Sequence, residues 1–214
     1  MFILRIFLVF FSYLVGAIPF GVIISRKIAE IDITSKGSGN IGATNVARVI
    51  GIKWGLFTLL LDLLKGFIPV LITQYFFEDG NGILLILISL AVLLGHRFSP
   101  FLNFTGGKGV ATAFGVFLAL SPASALISLS VFLITVYFSD YVSLGSIAGA
   151  YIMPVTLSIL DKPAALIITA FFTATLILIT HSSNITRIIK GEERKWKKGN
   201  YDRTSSRRSN SSLE

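Results

Sequence analysis

The sequence predicts an all-α fold, a polytopic membrane protein built as a bundle of seven transmembrane helices. Three observations predict it. Of 214 residues, 53% are hydrophobic and 14% charged, where a soluble domain carries about 25% charged residues. Seven apolar stretches follow one another along the chain. The basic residues collect in alternate connections between them, with nine of the 19 lying from Arg187 to Arg208, a distribution that speaks of orientation in a bilayer rather than of nucleic acid.

Each element follows from its apolar run, since a helix needs about 20 apolar residues to cross roughly 30 Å of hydrocarbon. Phe2 to Ile24 meets that length and stops at Arg26 and Lys27. A cleaved signal peptide is not expected, because the run is long for one, Arg5 alone leads it with positive charge, and six more apolar stretches follow. These run Ile52 to Phe77, Ile83 to Leu94, Val110 to Leu120, Ala123 to Phe138, Ser146 to Leu160 and Ala164 to Thr180. Several are short for a span. The shortest, Val110 to Leu120, borders Gly106-Gly107-Lys108-Gly109 and the Ser121-Pro122 turn, so either helix continues into the flanking residues or the segment is partly re-entrant. After Gly191 the chain becomes a mixture of Lys, Arg, Ser and Asn. One integral membrane domain is therefore expected over 1–195, with a basic, disordered tail over 196–214 whose closing Leu213-Glu214 is read as a vector remnant.

The connections over 26–53 and 95–109 and the tail hold the positive charge. Glu78-Asp79-Gly80-Asn81, Ser121-Pro122 and Asp161-Lys162-Pro163 hold one basic residue between them. The positive-inside rule then places the N-terminus outside and the C-terminus in the cytoplasm. Every glycine-rich and polar loop falls on the cytoplasmic side.

Zero cysteines exclude a disulfide framework, thiolate catalysis and Cys-ligated metals, and His96 and His181 are too few for a His-rich site, so no metal or cofactor is expected. Four polar clusters remain. Gly37-Ser38-Gly39-Asn40-Ile41-Gly42-Ala43-Thr44-Asn45 with Arg48 sets backbone N–H groups and polar donors where phosphate oxygens could be held. Gly95-His96-Arg97-Phe98-Ser99-Pro100 leads to Gly106-Gly107-Lys108-Gly109, a glycine-lysine loop opening an apolar helix, which brings N–H groups, a helix dipole and an ammonium to one point. It is not a Walker A loop, because Leu102 stands where the first glycine is required and Gly109 where Ser or Thr would ligate magnesium.

Tyr141-Val142-Ser143-Leu144-Gly145-Ser146 reads, taken alone, as helix packing through small residues. His181-Ser182-Ser183-Asn184-Ile185-Thr186-Arg187 closes the last span, and His181 and Asn184 share a face if the helix continues. Asp62 and Lys65, at i and i+3 inside an apolar span, read as a mutually neutralised pair joining helices. Together Ser38, Arg48, Lys108, Ser146, His181 and Asn184 describe a site for an anionic, phosphorylated group beside a greasy bundle.

These residues resemble the bacterial PlsY family of acyl-phosphate:glycerol-3-phosphate acyltransferases. The resemblance rests on residues 38–45 with Arg48, on 95–100 with 106–112, and on 181–185 leading to Gly191 and Glu193, in order and at compatible spacing. It implies a seven-helix enzyme of the bacterial inner membrane, multi-pass, its active site facing the cytoplasm. That enzyme moves an acyl group from acyl phosphate to the 1-hydroxyl of glycerol 3-phosphate, giving lysophosphatidic acid and phosphate. By resemblance, Ser38 and Arg48 are the essential residues of a first motif. Gly106, Gly107, Lys108 and Gly109 form a phosphate loop, and His181 and Asn184 carry a third motif. Glu193, with Asn40, Asn45 and His96, supports the site, and Ser146 is a looser match to a phosphate-holding serine. A monomer in a lipid bilayer is expected, without a nucleic-acid partner.

Acyl phosphate is a mixed anhydride with a good leaving group, so no acyl-enzyme is required. The His-x4-Asp pair of other glycerolipid acyltransferases is absent, since Phe101 and Thr186 stand five residues after His96 and His181. Arg48, Lys108, Ser38 and Asn184 would hold phosphate and orient the hydroxyl, its proton passing to a substrate phosphate oxygen or to His181. Rival readings are an anion or organophosphate transporter and a membrane scaffold. The one-sided polar clusters and the lack of an inverted repeat argue against transport.

Overall fold

A computed structural model describes residues 2–77 and 82–197. The Glu78-to-Asn81 connection and the expected tail beyond 197 lie outside the described residues. Among the described residues the regular structure is entirely helical: α1 Phe2–Ala17, α2 Phe20–Ala29, α3 Ala43–Ile50, α4 Ile52–Phe76, α5 Ile83–Arg97, α6 Val110–Leu120, α7 Pro122–Ser139, α8 Val142–Ile159, α9 Ala164–Thr180 and α10 Ser182–Ile189. Short 3₁₀ turns lie at Ile33–Ser35 and Pro100–Leu102.

Five segments are long and apolar enough to cross a membrane, or six if α9 and α10, bent by 56°, count as one. That is fewer than the seven expected. The difference is α6, which has 11 residues and does not extend into its flanks. Gly109, in a left-handed conformation at φ 80°, starts it, and Ser121 and Pro122 end it. Two other expectations change. The first apolar run is broken at Ile18-Pro19 into α1 and α2, and the polar segment after it turns helical at Ala43, so Arg48 stands on α3 and not in a loop.

Apolar side chains such as Phe7, Leu56, Ile134 and Ile168 face outward, while Ser89, Thr58, Thr73, Thr112 and Thr173 are buried. Lipid tails are as apolar as leucine, so helices associate through close packing rather than through hydrophobic exclusion. The pairs α1 with α5 and α4 with α6 show how. A methyl group on Gly66 would collide with the Thr112 carbonyl, and one on Gly115 with the Leu63 carbonyl. Gly16 lies in the same way against Val92, and Gly95 against Tyr13. Each helix thus lends a glycine to its partner's backbone.

Pro19 lacks an N–H and stops α1, which leaves carbonyls without helical partners. Side chains take them. The Ser99 hydroxyl donates to the Ala17 carbonyl at 2.7 Å, and Lys65 Nζ donates to the Ile18 carbonyl at 2.9 Å. Lys65 also pairs with Asp62 at 2.8 Å, both side chains being at most 5% exposed. The pair read from the sequence is present, and it also patches a broken helix.

Removing one member of a buried ion pair costs about 3–5 kcal/mol, whereas an apolar replacement of both is far better tolerated. Lys65→Met should therefore destabilise the bundle more than Asp62→Leu combined with Lys65→Met. Thermal unfolding of each in one detergent checks the order, and equal losses would count against the pairing.

Candidate active site

The first polar segment is built around Asn45. Its buried amide donates to the carbonyls of Asn40 at 2.8 Å, Lys36 at 3.0 Å and Ile33 at 3.3 Å, and accepts the Ser38 N–H at 2.8 Å. Asn40 in turn accepts the Gly42 N–H at 2.8 Å. These bonds give the turn before α3 its shape. Gly37, at φ 62°, can approach so closely because a Cβ there would collide with the Asn45 side chain. Ser38 itself is exposed.

The glycine-lysine loop folds back on the last turn of α5. Gly106 N–H donates to the Arg97 carbonyl at 2.8 Å and Gly107 N–H to the His96 carbonyl at 3.2 Å. The buried His96 ring fills the space where a Gly107 side chain would project, with Ile41 on its other flank, so the first and second polar segments meet at Gly107. His96 Nδ1 lies 3.2 Å from the Thr112 hydroxyl.

Lys108 then leaves the loop, and its Nζ donates to Asn184 Oδ1. The same amide donates through Nδ2 to Glu193 Oε1 at 2.6 Å. Glu193 is the hub, also accepting from the Ser143 hydroxyl at 2.8 Å and from Arg187 Nε at 2.8 Å. Arg48 donates to the neighbouring Arg194 carbonyl at 3.1 Å, and its buried Nε has no hydrogen-bond partner among the described residues. Hydrogen bonds from Asn184, Arg187 and Ser143 outweigh partial burial and hold the Glu193 carboxyl below its ordinary range. Burial, aided by nearby Arg187 and Arg48 and opposed by Glu193, pushes Lys108 down to about 8.

α9 ends at Thr180, so His181 lies past the span, at the hinge before α10, rather than inside a continuous helix. Its Nδ1 faces the Ile177 carbonyl at 2.8 Å. A carbonyl can only accept, so Nδ1 carries the proton and the neutral ring keeps a lone pair on Nε2. Burial, with the charge of Lys108 adding to it, pushes His181 down to about 4.

The family model described as glycerol-3-phosphate acyltransferase matches residues 6–191. A glycerol-3-phosphate acyltransferase of Desulfotalea psychrophila is 48% identical over 189 residues, spanning 87% of this chain and 95% of that protein. One from Fusobacterium nucleatum is 42% identical over 186 residues, with the same two coverages. The chain belongs to the glycerol-3-phosphate acyltransferase family. A crystal structure of PlsY, an integral membrane glycerol 3-phosphate acyltransferase, in its glycerol 3-phosphate form has a TM-score of 0.86 at 41% identity, covering 90% of this chain and 95% of that one. The lysophosphatidic acid form gives 0.83 at 41% identity, covering 89% and 94%. These relatives lend no support to the transporter reading.

In this member of the family, Lys108, Asn184, His181 and Glu193 come together at the meeting of the glycine-lysine loop, the α9–α10 hinge and the strap after α10, with Arg48 beside them. Ser146 does not bond to that cluster. Its hydroxyl donates to the Val142 carbonyl of its own helix at 2.8 Å, and Ser143, one turn earlier, is the serine that reaches Glu193. Ser143 and Arg187 were visible in the third and fourth polar clusters, but neither stood out as a site residue. Their role depends on Glu193, whose position beside them is set by how the chain turns at Gly191, at φ 71°.

Glu193→Gln keeps the shape of the hub and removes its charge. Hydrogen bonds to charged groups contribute about 1.5–3 kcal/mol, so steady-state turnover should fall by about tenfold or more, and Ser143→Ala should cost less. Gly107→Ala, which forces a methyl group into the His96 ring, should abolish turnover; normal rates would show that the loop does not need its fold against α5.

Proposed function

We propose that the chain is an acyl-phosphate-dependent glycerol-3-phosphate 1-O-acyltransferase of the bacterial inner membrane, acting as a monomer. In this reading the ten described helices make seven membrane crossings, α6 being the short one, with the N-terminus outside and the C-terminus and active site facing the cytoplasm. The supporting observation is the junction of three separate motifs, where the Lys108 ammonium, the Asn184 amide and Arg48 gather beside a glycine loop at a helix N-terminus.

Arg48 and Lys108, with Ser38 and Asn184, hold the phosphates of donor and acceptor and neutralise charge as it develops on the leaving group. The 1-hydroxyl oxygen attacks the acyl carbonyl carbon, a carbon–oxygen ester bond forms, and the bond from that carbon to the phosphate oxygen breaks. The hydroxyl proton ends on the departing phosphate. His181 accepts the neighbouring 2-hydroxyl of glycerol 3-phosphate at its Nε2 lone pair and so orients the substrate, which leaves the single proton of the 1-hydroxyl for the phosphate. A histidine whose pKa lies near 4 is a weak base at neutral pH, so the substrate phosphate is the better acceptor.

Purified protein in bilayers, offered glycerol 3-phosphate with acyl phosphate, acyl-CoA or acyl carrier protein thioester, should form lysophosphatidic acid rapidly from the first alone. Equal rates with acyl-CoA would overturn the donor assignment. Activity should survive EDTA.

The pH dependence follows from the two shifted groups. Lys108 must be charged to bind phosphate, so kcat/KM should fall as pH rises through about 8 in the free enzyme, and Lys108→Arg should move that limb upward. His181 stays neutral down to about 4, so no limb is expected near pH 6.5, and His181→Gln should slow turnover without changing the profile. A limb near pH 6.5 that vanishes only in the His181 variant would make His181 the base.

A further inference from the structure

We propose that Phe98, Phe101 and Phe104, on the turn between α5 and α6, form a lip immersed in hydrocarbon, over which the acyl chain of the donor passes sideways from the bilayer to Lys108. The chain-passage half of this rests on the acyltransferase reading above; the immersion half does not. The three rings are 42%, 60% and 62% exposed, on a polar turn that adjoins the glycine-lysine loop.

The segments on either side put that turn below the membrane surface. The stretch from Ile83 that is long and apolar enough to cross a membrane includes the turn as far as Leu102, and α6, which leaves the glycine-lysine loop, rises only about 15 Å of the roughly 30 Å of hydrocarbon. The glycine-lysine loop is pinned to the last turn of α5 by the Gly106 and Gly107 N–H bonds, so it stops at that depth. Neighbouring α4 continues past it. Lys65 and Ser99 meet the broken α1 at adjacent carbonyls, and from there α4 runs about 20 Å further to Ile52, with exposed Leu56 and Leu60 along the way.

Irregular backbone at membrane depth must find partners for its polar groups, and this turn turns several of them inward. Leu102 and Phe104 N–H donate to the Ser99 carbonyl at 3.0 and 2.8 Å, and Thr105 N–H to the Leu102 carbonyl at 2.9 Å. Tyr13 hydroxyl takes the Phe98 carbonyl at 2.6 Å. The turn is also two-sided. Leu102 packs inward against Val22, Ile33, Ile41 and Val46, while Phe101 and Phe104 project away. Phe104 does so at φ 59°, a conformation that bulky residues rarely adopt. Just behind the rings are cations: Arg97 lies 5.6 Å from the Phe98 ring centroid, and Lys108 follows four residues after Phe104. An apolar rim backed by positive charge fits a ligand with a hydrocarbon chain and an anionic head.

The chain has no cysteine, so Phe101→Cys can carry a single nitroxide in full-length protein reconstituted in phosphatidylethanolamine–phosphatidylglycerol liposomes, with Lys36→Cys, in the exposed first polar segment, as the aqueous control. Power saturation should show position 101 accessible to oxygen and shielded from a water-soluble nickel chelate, and position 36 the reverse. Nickel access at 101 equal to that at 36 would overturn the lip. For chain passage, Phe101→Ser with Phe104→Ser should raise KM for palmitoyl phosphate about fivefold or more, with KM for glycerol 3-phosphate unchanged. Leucine at both positions should restore it, which a folding defect would not allow. An unchanged KM for palmitoyl phosphate would overturn passage over the lip. Wild-type protein inert to acyl phosphate would sink the acyltransferase reading, and the nitroxide depth would still decide the immersion.

Discussion

A bilayer interior offers no water to a stranded backbone carbonyl, and the fold turns on how this chain meets that constraint at Ile18-Pro19. The break could not persist in hydrocarbon unless its carbonyls were taken. Lys65 from α4 and Ser99 from the end of α5 take them. Three helices are thereby locked at one level, and the lock fixes where α5 ends. Because Gly106 and Gly107 are bonded to the last turn of α5, the height of the glycine-lysine loop is inherited from a buried lysine on another helix. Asp62 makes this possible, since an unpaired ammonium at that depth would cost several kcal/mol.

From the loop onward, organisation passes from backbone to charge. Arg48, Lys108, Arg187 and Arg194 crowd one carboxylate, Glu193, an arrangement that leaves positive charge in excess. Glu193 spends its oxygens on Asn184, Ser143 and Arg187 rather than on Lys108 directly. Asn184 stands between them, donating an amide N–H to the carboxylate and accepting the ammonium at its oxygen. The lysine is aligned yet not neutralised by a direct ion pair, and its charge remains available to an incoming anion. Trp196 and Lys197 continue the strap and donate their N–H groups to Asp140, each at 2.9 Å, so the residues just past Glu193 are tied down at the corner between α7 and α8.

The apolar runs were legible because membrane helices announce themselves by composition, and Ile52 to Phe77 and Ala164 to Thr180 match α4 and α9 to within a residue. What composition could not show is where helix ends within an apolar run. Nothing in the hydropathy of Phe2 to Ile24 marks the break at Pro19, and a proline inside an apolar run is ambiguous, since Pro69 in α4 leaves its helix unbroken. The polar clusters were legible by residue type, so Arg48, Lys108, His181 and Asn184 were found. Ser143 and Arg187 were not singled out because their contribution is positional: each bonds a carboxylate far along the chain or across a turn. Ser146, chosen by residue type and by a looser resemblance, returns its hydroxyl to its own helix.

The same desolvation explains why a histidine and a lysine in one site can both be displaced downward and yet do different work. Burial disfavours charge on each, but in the proposed reaction losing its proton would cost Lys108 its hold on phosphate, while His181 has no task that needs charge. A neutral imidazole with Nδ1 committed to the Ile177 carbonyl presents one fixed acceptor, Nε2, whose direction is set by the hinge between α9 and α10. In the proposed reaction such an acceptor would aim a substrate hydroxyl. There aiming would suffice, because a mixed-anhydride donor supplies its own leaving group and its own base, and the protein would then have only to hold two anions close together where water is scarce, an approach that the cations around Glu193 would make tolerable.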